Sequence, residues 1–178
     1  MKKYYLLILL FFTPIALGEV YLGKELSSWP QTESRKVQND FAAWLLVTPD
    51  MDWKKKWDTT PDTVPYFNEA DEVYVGERLV ILTFFANPGI NGKGNSHVKC
   101  SLQVERPDGS LSIPRQEFDC LKGPIQGNPS NVRLSPAVIQ FTAEKTDQLG
   151  VWKVLVTLED TNRKSKLELK TTYKLVGS

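Results

Sequence analysis

The sequence is poor in the side chains that perform chemistry. Its 178 residues include one histidine, two cysteines and two methionines. A single histidine and two cysteines cannot assemble a His/Cys metal cluster. A nucleophilic triad would have to use His97 as its base. Charge of one sign is also missing: 22 Lys and Arg stand against 21 Asp and Glu, a net +1. Domains that hold nucleic acid through bulk charge carry a basic excess, so no nucleic-acid partner is expected. Past residue 17 no apolar run reaches the roughly 20 residues that a helical span requires. There is no Asn-x-Ser/Thr sequon, which fits a bacterial envelope. Neither a cofactor nor a resident metal is expected.

The N-terminus has its own pattern. Met1-Lys2-Lys3 is charged, Tyr4 to Leu17 is uncharged and mostly apolar, and Ala16 and Gly18 place small residues before Glu19. This reads as a secretory signal over residues 1–18, cleaved near Gly18-Glu19. The alternative is an uncleaved membrane anchor, for which the apolar stretch is short. No cysteine lies near the cut, so a lipid-modified N-terminus is excluded. With Lys2 and Lys3 removed, 160 residues carry 20 basic and 21 acidic side chains, net −1. A chain of that length supports one core. One domain, periplasmic or secreted, is the expectation.

In an oxidising compartment Cys100 and Cys120 read as a structural disulfide. Val98, Cys100, Leu102 and Val104 alternate with Lys99, Ser101, Gln103 and Glu105, which puts Cys100 on an apolar strand face. Phe118 and Cys120 share a face opposite Glu117 and Asp119. Closing such a loop is worth about 3 kcal/mol in the chain-entropy account. A redox pair is the alternative, but it usually has the Cys-x-x-Cys spacing, which is absent here.

Residues 19–40 are polar and read as an N-terminal arm, with a loose segment or one helical turn over 34–40. Phe41 to Val47 is a strand-length apolar run. Asp50 or Asp52 could cap a short helix through Trp57. Residues 58–72 read as an irregular connection. Val73–Val75, Gly76 and Leu79–Phe85 read as a strand pair or one bulged strand, apolar on both faces from Leu79 onward. Such a strand belongs at a sheet centre or beneath another segment. Strands follow at 98–105, 115–120 and 137–143. Two clean alternations come last, Trp152–Glu159 and Lys166–Leu175, joined by a polar hairpin at 160–164. About seven strands with regular turns predict an all-β, antiparallel sandwich over 41–176, with a less regular N-terminal segment containing a short helix.

Gly150-Val151-Trp152-Lys153-Val154-Leu155-Val156-Thr157-Leu158-Glu159-Asp160 resembles the penultimate strand of many bacterial immunoglobulin-like domains. Gly76-Glu77-Arg78-Leu79-Val80-Ile81 is similar to their early strand, and Arg106-Pro107-Asp108-Gly109-Ser110 to a turn common among them. The resemblance spans 72–176 and implies an immunoglobulin-like fold, but neither a site nor a ligand. The Cys…Trp…Cys spacing of antibody domains is absent.

Three sets of residues are candidates for function. Trp53-Lys54-Lys55-Lys56-Trp57 puts two indoles on one helix face among lysines. It reads either as a platform for a sugar or peptide, or as packing with solvated lysines. The Asn87–Asn95 loop, with Asn91 and Asn95, and the loop at 121–135 could present amides to a partner. Two acidic groups, Glu69/Asp71/Glu72 and Asp58/Asp62, lack the layout of a catalytic pair or a Ca²⁺ loop. His97 has opposite parity to Val98 and is expected to face outward without partners. The reading is a non-enzymatic binding or accessory protein of the cell envelope, with a protein or a glycan such as peptidoglycan as partner. The alternative is a protein inhibitor of a secreted hydrolase, such as a lysozyme or protease.

Overall fold

The computed structural model describes residues 31–58 and 65–177. The predicted signal at 1–18 and residues 19–30 of the arm lie outside the described residues, as do Trp29, Pro61 and Asp62. In chain order the elements are β1 (Arg35–Gln38), β2 (Phe41–Thr48), α1 (Trp53–Trp57), β3 (Glu72–Tyr74), β4 (Arg78–Ala86) and β5 (Asn95–Glu105). Then come β6 (Leu111–Pro124), β7 (Arg133–Leu134), β8 (Ile139–Thr142), β9 (Gly150–Asp160) and β10 (Ser165–Val176).

Two sheets pack face to face. Sheet 1 runs β1-β2-β4, and both β7 and β8 pair with the far side of β4. Sheet 2 runs β3-β10-β9-β5-β6. Every pairing is antiparallel except that of β3 with β10. This is the all-β immunoglobulin-like sandwich that the alternating strands predict, with eight strands in 72–176 and two more before them.

The core follows strand parity. Leu79, Ile81 and Phe85 of β4 point between the sheets and meet Val98, Cys100, Leu102, Trp152, Val154, Val156 and Leu158. Trp152 and Tyr173 stack at 6.1 Å, and Phe141 lies 5.2 and 5.3 Å from them. The opposite face of β4, with Val80, Leu82 and Phe84, is covered by Phe67 and by the indoles of α1. β4 is therefore both central and covered, which is why it is apolar on both faces. Cys100 and Cys120 are joined across β5 and β6 with Cα atoms 5.6 Å apart. Cys120 Sγ lies 3.3 Å from Ser135 Oγ, so the bond also touches the segment between β7 and β8.

The structure corrects four expectations. Residues 34–40 are neither a helical turn nor a loose arm: β1 and β2 form a hairpin through Asn39 and Asp40, with φ of 50° and 61°. Two-residue hairpin turns with positive φ at both centres suit Asn and Asp, whose side chains tolerate that region. Val73–Val75 and Leu79–Phe85 are not one bulged strand, and they do not pair; β3 and β4 lie in opposite sheets. The strand predicted at 115–120 runs from Leu111 to Pro124. It accommodates Pro114 because β6 is an edge strand, where a missing N–H can face away from the ladder. His97 does have partners: Nε2 lies 2.7 Å from Asp119 Oδ1, and Asp119 also meets Lys122 at 3.4 Å. The hydrogen bond from His97 is the main reason the Asp119 carboxyl is held below its usual range.

Candidate functional site

Four connections emerge at one end of the sandwich: the Asn39-Asp40 turn, the loop at 87–94, the loop at 125–132 and the hairpin at 161–164. Antiparallel register places them there, since Ala42 pairs with Ala86, Asn95 with Pro124 and Asp160 with Ser165. Seven of the eight asparagines lie in or beside these segments (39, 87, 91, 95, 128, 131 and 162), the exception being Asn68.

The segments are tied together rather than merely adjacent. Asp160 is fully buried, and its carboxylate accepts the N–H groups of Gly89, Asn162 and Arg163 at 2.5, 3.0 and 3.1 Å. Arg163 donates through Nε to the Asn87 carbonyl and through Nη1 to the Asn39 carbonyl, both at 3.1 Å. Asn162 Nδ2 donates to the carbonyls of Gly89 and Asn95, each at 2.9 Å. Asn87 Nδ2 reaches the Asp40 carbonyl, and the Asn87 N–H reaches that of Pro129. The approach of 87–94 to the hairpin needs glycine: a Cβ on Gly89 would stand 2.7 Å from Arg163 Cγ and 3.1 Å from the Arg163 nitrogen.

Arg133 organises the second loop. Its guanidinium donates to the carbonyls of Gln126, Asn128, Pro129 and Asn131 at 2.6–3.1 Å. Burial lowers its pKa from the ordinary arginine value. Fixed guanidinium donors that gather carbonyls hold a loop in one shape before any partner arrives. What this end offers to solvent is mostly polar and uncharged, apart from Asp40, Lys93, Lys164 and the apolar tip Ile90, which is 45% exposed.

Asn91 and Asn95 sit here as predicted. Asn91 Oδ1 is occupied inside the loop, accepting the N–H groups of Lys93 and Asn95 at 2.9 and 3.1 Å. Its amide nitrogen and the side chain of Asn95 have no hydrogen-bond partner among the described residues. Sequence reading missed Asp160 and Arg163, treating them as an ordinary polar hairpin. The signal was available: Trp152, Val154, Val156, Leu158 and Asp160 share parity, which puts an acid on the inward face.

The Trp53–Trp57 segment lies elsewhere, over the outer face of sheet 1. Phe84 is ringed by Trp57, Trp44 and Phe67 at 5.3, 5.4 and 5.7 Å, so the aromatic rings of this region pack on β4. Lys54 pairs with Asp58 at 2.6 Å, Lys56 with Asp50 at 2.7 Å and Asp52 at 3.7 Å, and Lys55 is exposed. Asp52 occupies the N-cap position but makes no side-chain cap. Asp50 is instead a buried anchor, accepting from the backbone and side chain of Asn68 at 2.8 Å each. The acids near residue 70 do not converge: Glu69 pairs with Arg35 and Glu72 with Lys174. Among the described residues no cluster of His, Cys, Asp and Glu could hold a metal.

No family model and no curated protein matches this chain. Solved structures give distant likenesses only. An immunoglobulin-like protein of Pseudomonas aeruginosa is 15% identical, with 63% of this chain and 83% of that chain covered at a TM-score of 0.33. A CARDB domain from Pyrococcus furiosus, described in complex with di-metal ions, is 12% identical over 84% of this chain and all of its own, TM-score 0.40. A family 123 glycoside hydrolase of Clostridium perfringens is 11% identical at TM-score 0.41, and the match covers 76% of this chain and 27% of the hydrolase. At such identities and scores they bear on neither ligand nor reaction.

Proposed function

We propose that this chain is a non-enzymatic binding protein of the periplasm or extracellular space, and that it grips a protein partner with the braced loop end. The observation that carries the reading is the Asp160–Gly89–Arg163 linkage, which locks the 87–94 loop to the hairpin, while Arg163 to Asn39 and Asn87 to Pro129 add the turn and the 125–132 loop to the same surface. Loops on a rigid sandwich are a common place for recognition, and a surface fixed in advance loses little entropy on binding. The disulfide fits an oxidising compartment. Among the described residues no helix is long and apolar enough to cross a membrane.

A second reading is inhibition of a secreted hydrolase such as a lysozyme or protease. What favours it is Ile90, an exposed apolar side chain at the tip of a loop whose base is pinned by Gly89 and Asn91. Such a tip could fill an enzyme cleft.

A photo-crosslinking residue at Lys93, used in intact cells, tests the first reading. One recurrent protein should be captured, and Ile90→Asp together with Asn131→Ala should abolish its capture while the chain stays folded. Capture that is indifferent to both substitutions would overturn the loop end as the contact surface. For the inhibitor reading, the purified chain should form a one-to-one complex with a lysozyme or protease, and shortening 90–94 should abolish it.

A further inference from the structure

The loop at 87–94 also holds a chemical group that its ties leave free to react. At its tip Asn91 precedes Gly92, and residues 90–94 are all exposed. The tip is a closed turn: the Gly94 N–H donates to the Asn91 carbonyl, and the Asn91 N–H to the Asn95 carbonyl, each at 2.9 Å. The Asn91 side-chain amide is held by one end only. Its Oδ1 accepts the N–H groups of Lys93 and Asn95 at 2.9 and 3.1 Å, whereas Nδ2 donates to nothing among the described residues. The Gly92 N–H likewise has no acceptor among the described residues, and a Cβ built on Gly92 meets nothing within 4 Å.

These are the parts of an acyl transfer. A backbone nitrogen directly after an asparagine is tethered beside the side-chain carbonyl carbon, so their reaction is intramolecular. Donors on the carbonyl oxygen stabilise the negative charge that develops there as the nitrogen attacks. Glycine adds no side chain to shield that nitrogen. The leaving group, Nδ2, has no hydrogen bond to break.

The other asparagines lack this combination. Asn87 and Asn128 precede proline, whose nitrogen has no proton to lose. Nδ2 of Asn39, Asn68 and Asn162 is tied to Ser165, to Asp50 and to the carbonyls of Gly89 and Asn95. Asn131 precedes the β-branched Val132, and Asn95 precedes Ser96, which is 2% exposed within β5.

We propose that Asn91 is a self-modification site, at which the Gly92 nitrogen attacks Asn91 Cγ and expels the side-chain nitrogen as ammonia. The Gly92 N–H gives its proton to solvent base, the N–Cγ bond forms, and the Cγ–Nδ2 bond breaks as Nδ2 takes up a proton. The product is a succinimide between residues 91 and 92. Water then opens it, at Cγ to leave aspartate or at the main-chain carbonyl carbon to leave isoaspartate. Either product puts a new carboxylate on the loop end beside Lys93, and isoaspartate also lengthens the turn by one carbon. That this alters recognition rests on the reading of the loop end as the contact surface; the chemistry does not.

The whole chain, incubated in mildly alkaline buffer and then digested with trypsin, tests this by mass. Cuts after Arg78, Lys93 and Lys99 put Asn91 and Asn95 in different peptides. The 79–93 peptide should lose ammonia and then appear as separable aspartyl and isoaspartyl forms, and hydroxylamine should cleave the chain between 91 and 92. Conversion should accelerate in proportion to hydroxide. It should be at least as fast as in a free peptide of residues 88–98, which lacks the fixed donors. Asn95 and Asn131 should convert about tenfold more slowly or worse, and Gly92→Ala, for which the loop has room, should slow Asn91 by a similar factor. An Asn91 slower than in the free peptide, or no faster than Asn95, would overturn the proposal. So would conversion indifferent to Gly92→Ala, which would mean direct hydrolysis without the ring. No partner enters the measurement, so its failure and that of the loop-end reading are separate outcomes.

Discussion

Asp160 and Gly89 are 71 residues apart, yet the Asp160 carboxylate accepts the Gly89 N–H at 2.5 Å inside the protein. A buried carboxylate is tolerated because backbone donors surround it, and those donors in turn depend on it. Removing it leaves the Gly89, Asn162 and Arg163 amides without an acceptor. Asp160→Ala should therefore lower unfolding stability by about 3 kcal/mol, and Asp160→Asn by less, since an amide oxygen still accepts. Urea unfolding measures both. A loss within about 0.5 kcal/mol, typical of an ordinary surface site, would contradict the anchoring role.

The same contact separates two glycines of one loop. A Cβ at Gly89 meets Arg163, whereas a Cβ at Gly92 has nothing within 4 Å. Gly89→Ala should cost about 1–3 kcal/mol by pushing the loop off the hairpin, as overpacking commonly does. It should also speed amide exchange at 89–95. Gly92→Ala should do neither. Similar behaviour of the two variants in hydrogen exchange would show that the loop is not pinned at Gly89.

Much of this architecture is legible in the sequence, and the reason is period. β5, β9 and β10 are half-buried, so alternation alone states which residues point inward, and the inward parity of Cys100 supports the pairing with Cys120 that the cysteine count suggests. β4 shows no such alternation, because α1 and Phe67 cover its second face; its apolar run still signals a covered strand. The hairpin at Asn39-Asp40 escaped because β1 has only four residues and no apolar alternation. The braced loop end escaped for a different reason. Its long-range ties between side chain and backbone span 47 to 124 residues, and no local pattern encodes them. Only the parity of Asp160 hinted at it.

Reduction offers a test of the β5–β6 tie. The bond closes a separation of 20 residues, so opening it should cost about 3 kcal/mol through added freedom of the unfolded chain. Urea midpoints with and without reductant measure this, and Cys100→Ala/Cys120→Ala should match the reduced chain. A non-reduced mass two hydrogens below the reduced one checks the bond itself. Equal midpoints would mean that the tie adds nothing to stability.

Acid should weaken the fold partly through Asp50. Burial alone would raise its carboxyl, but hydrogen bonds from Lys56 and Asn68 outweigh that and bring it from 3.8 to about 2. A native value below the unfolded one means that the native state binds fewer protons in this range. Asp50 therefore stabilises fully above about pH 5 and loses that contribution as pH falls towards 2, on the order of 1–2 kcal/mol. Carboxyl NMR titration should place Asp50 near 2, and Lys56→Met should raise it. Asp108, held to about 2 chiefly by Gln148, titrates in the same window. The comparison with Asp50→Asn isolates the Asp50 share.

Trp57 decides how the aromatic-basic segment is understood. Its ring lies 5.3 Å from Phe84, which also touches Trp44 and Phe67, so the indole covers β4. Removing a half-buried indole from an aromatic cluster should cost about 2–3 kcal/mol, below the range for fully buried rings. A platform held out for a sugar would instead behave as a surface residue, changing stability by no more than about 0.5 kcal/mol. Trp57→Ala should thus shift the urea midpoint, whereas Lys55→Ala, on the solvent side of the same helix, should not. Should Trp57→Ala leave stability intact yet abolish sedimentation with peptidoglycan, the packing account fails and the platform account replaces it. If stability falls and Lys55→Ala leaves sedimentation unchanged, α1 is a lid over sheet 1, and recognition belongs to the loops.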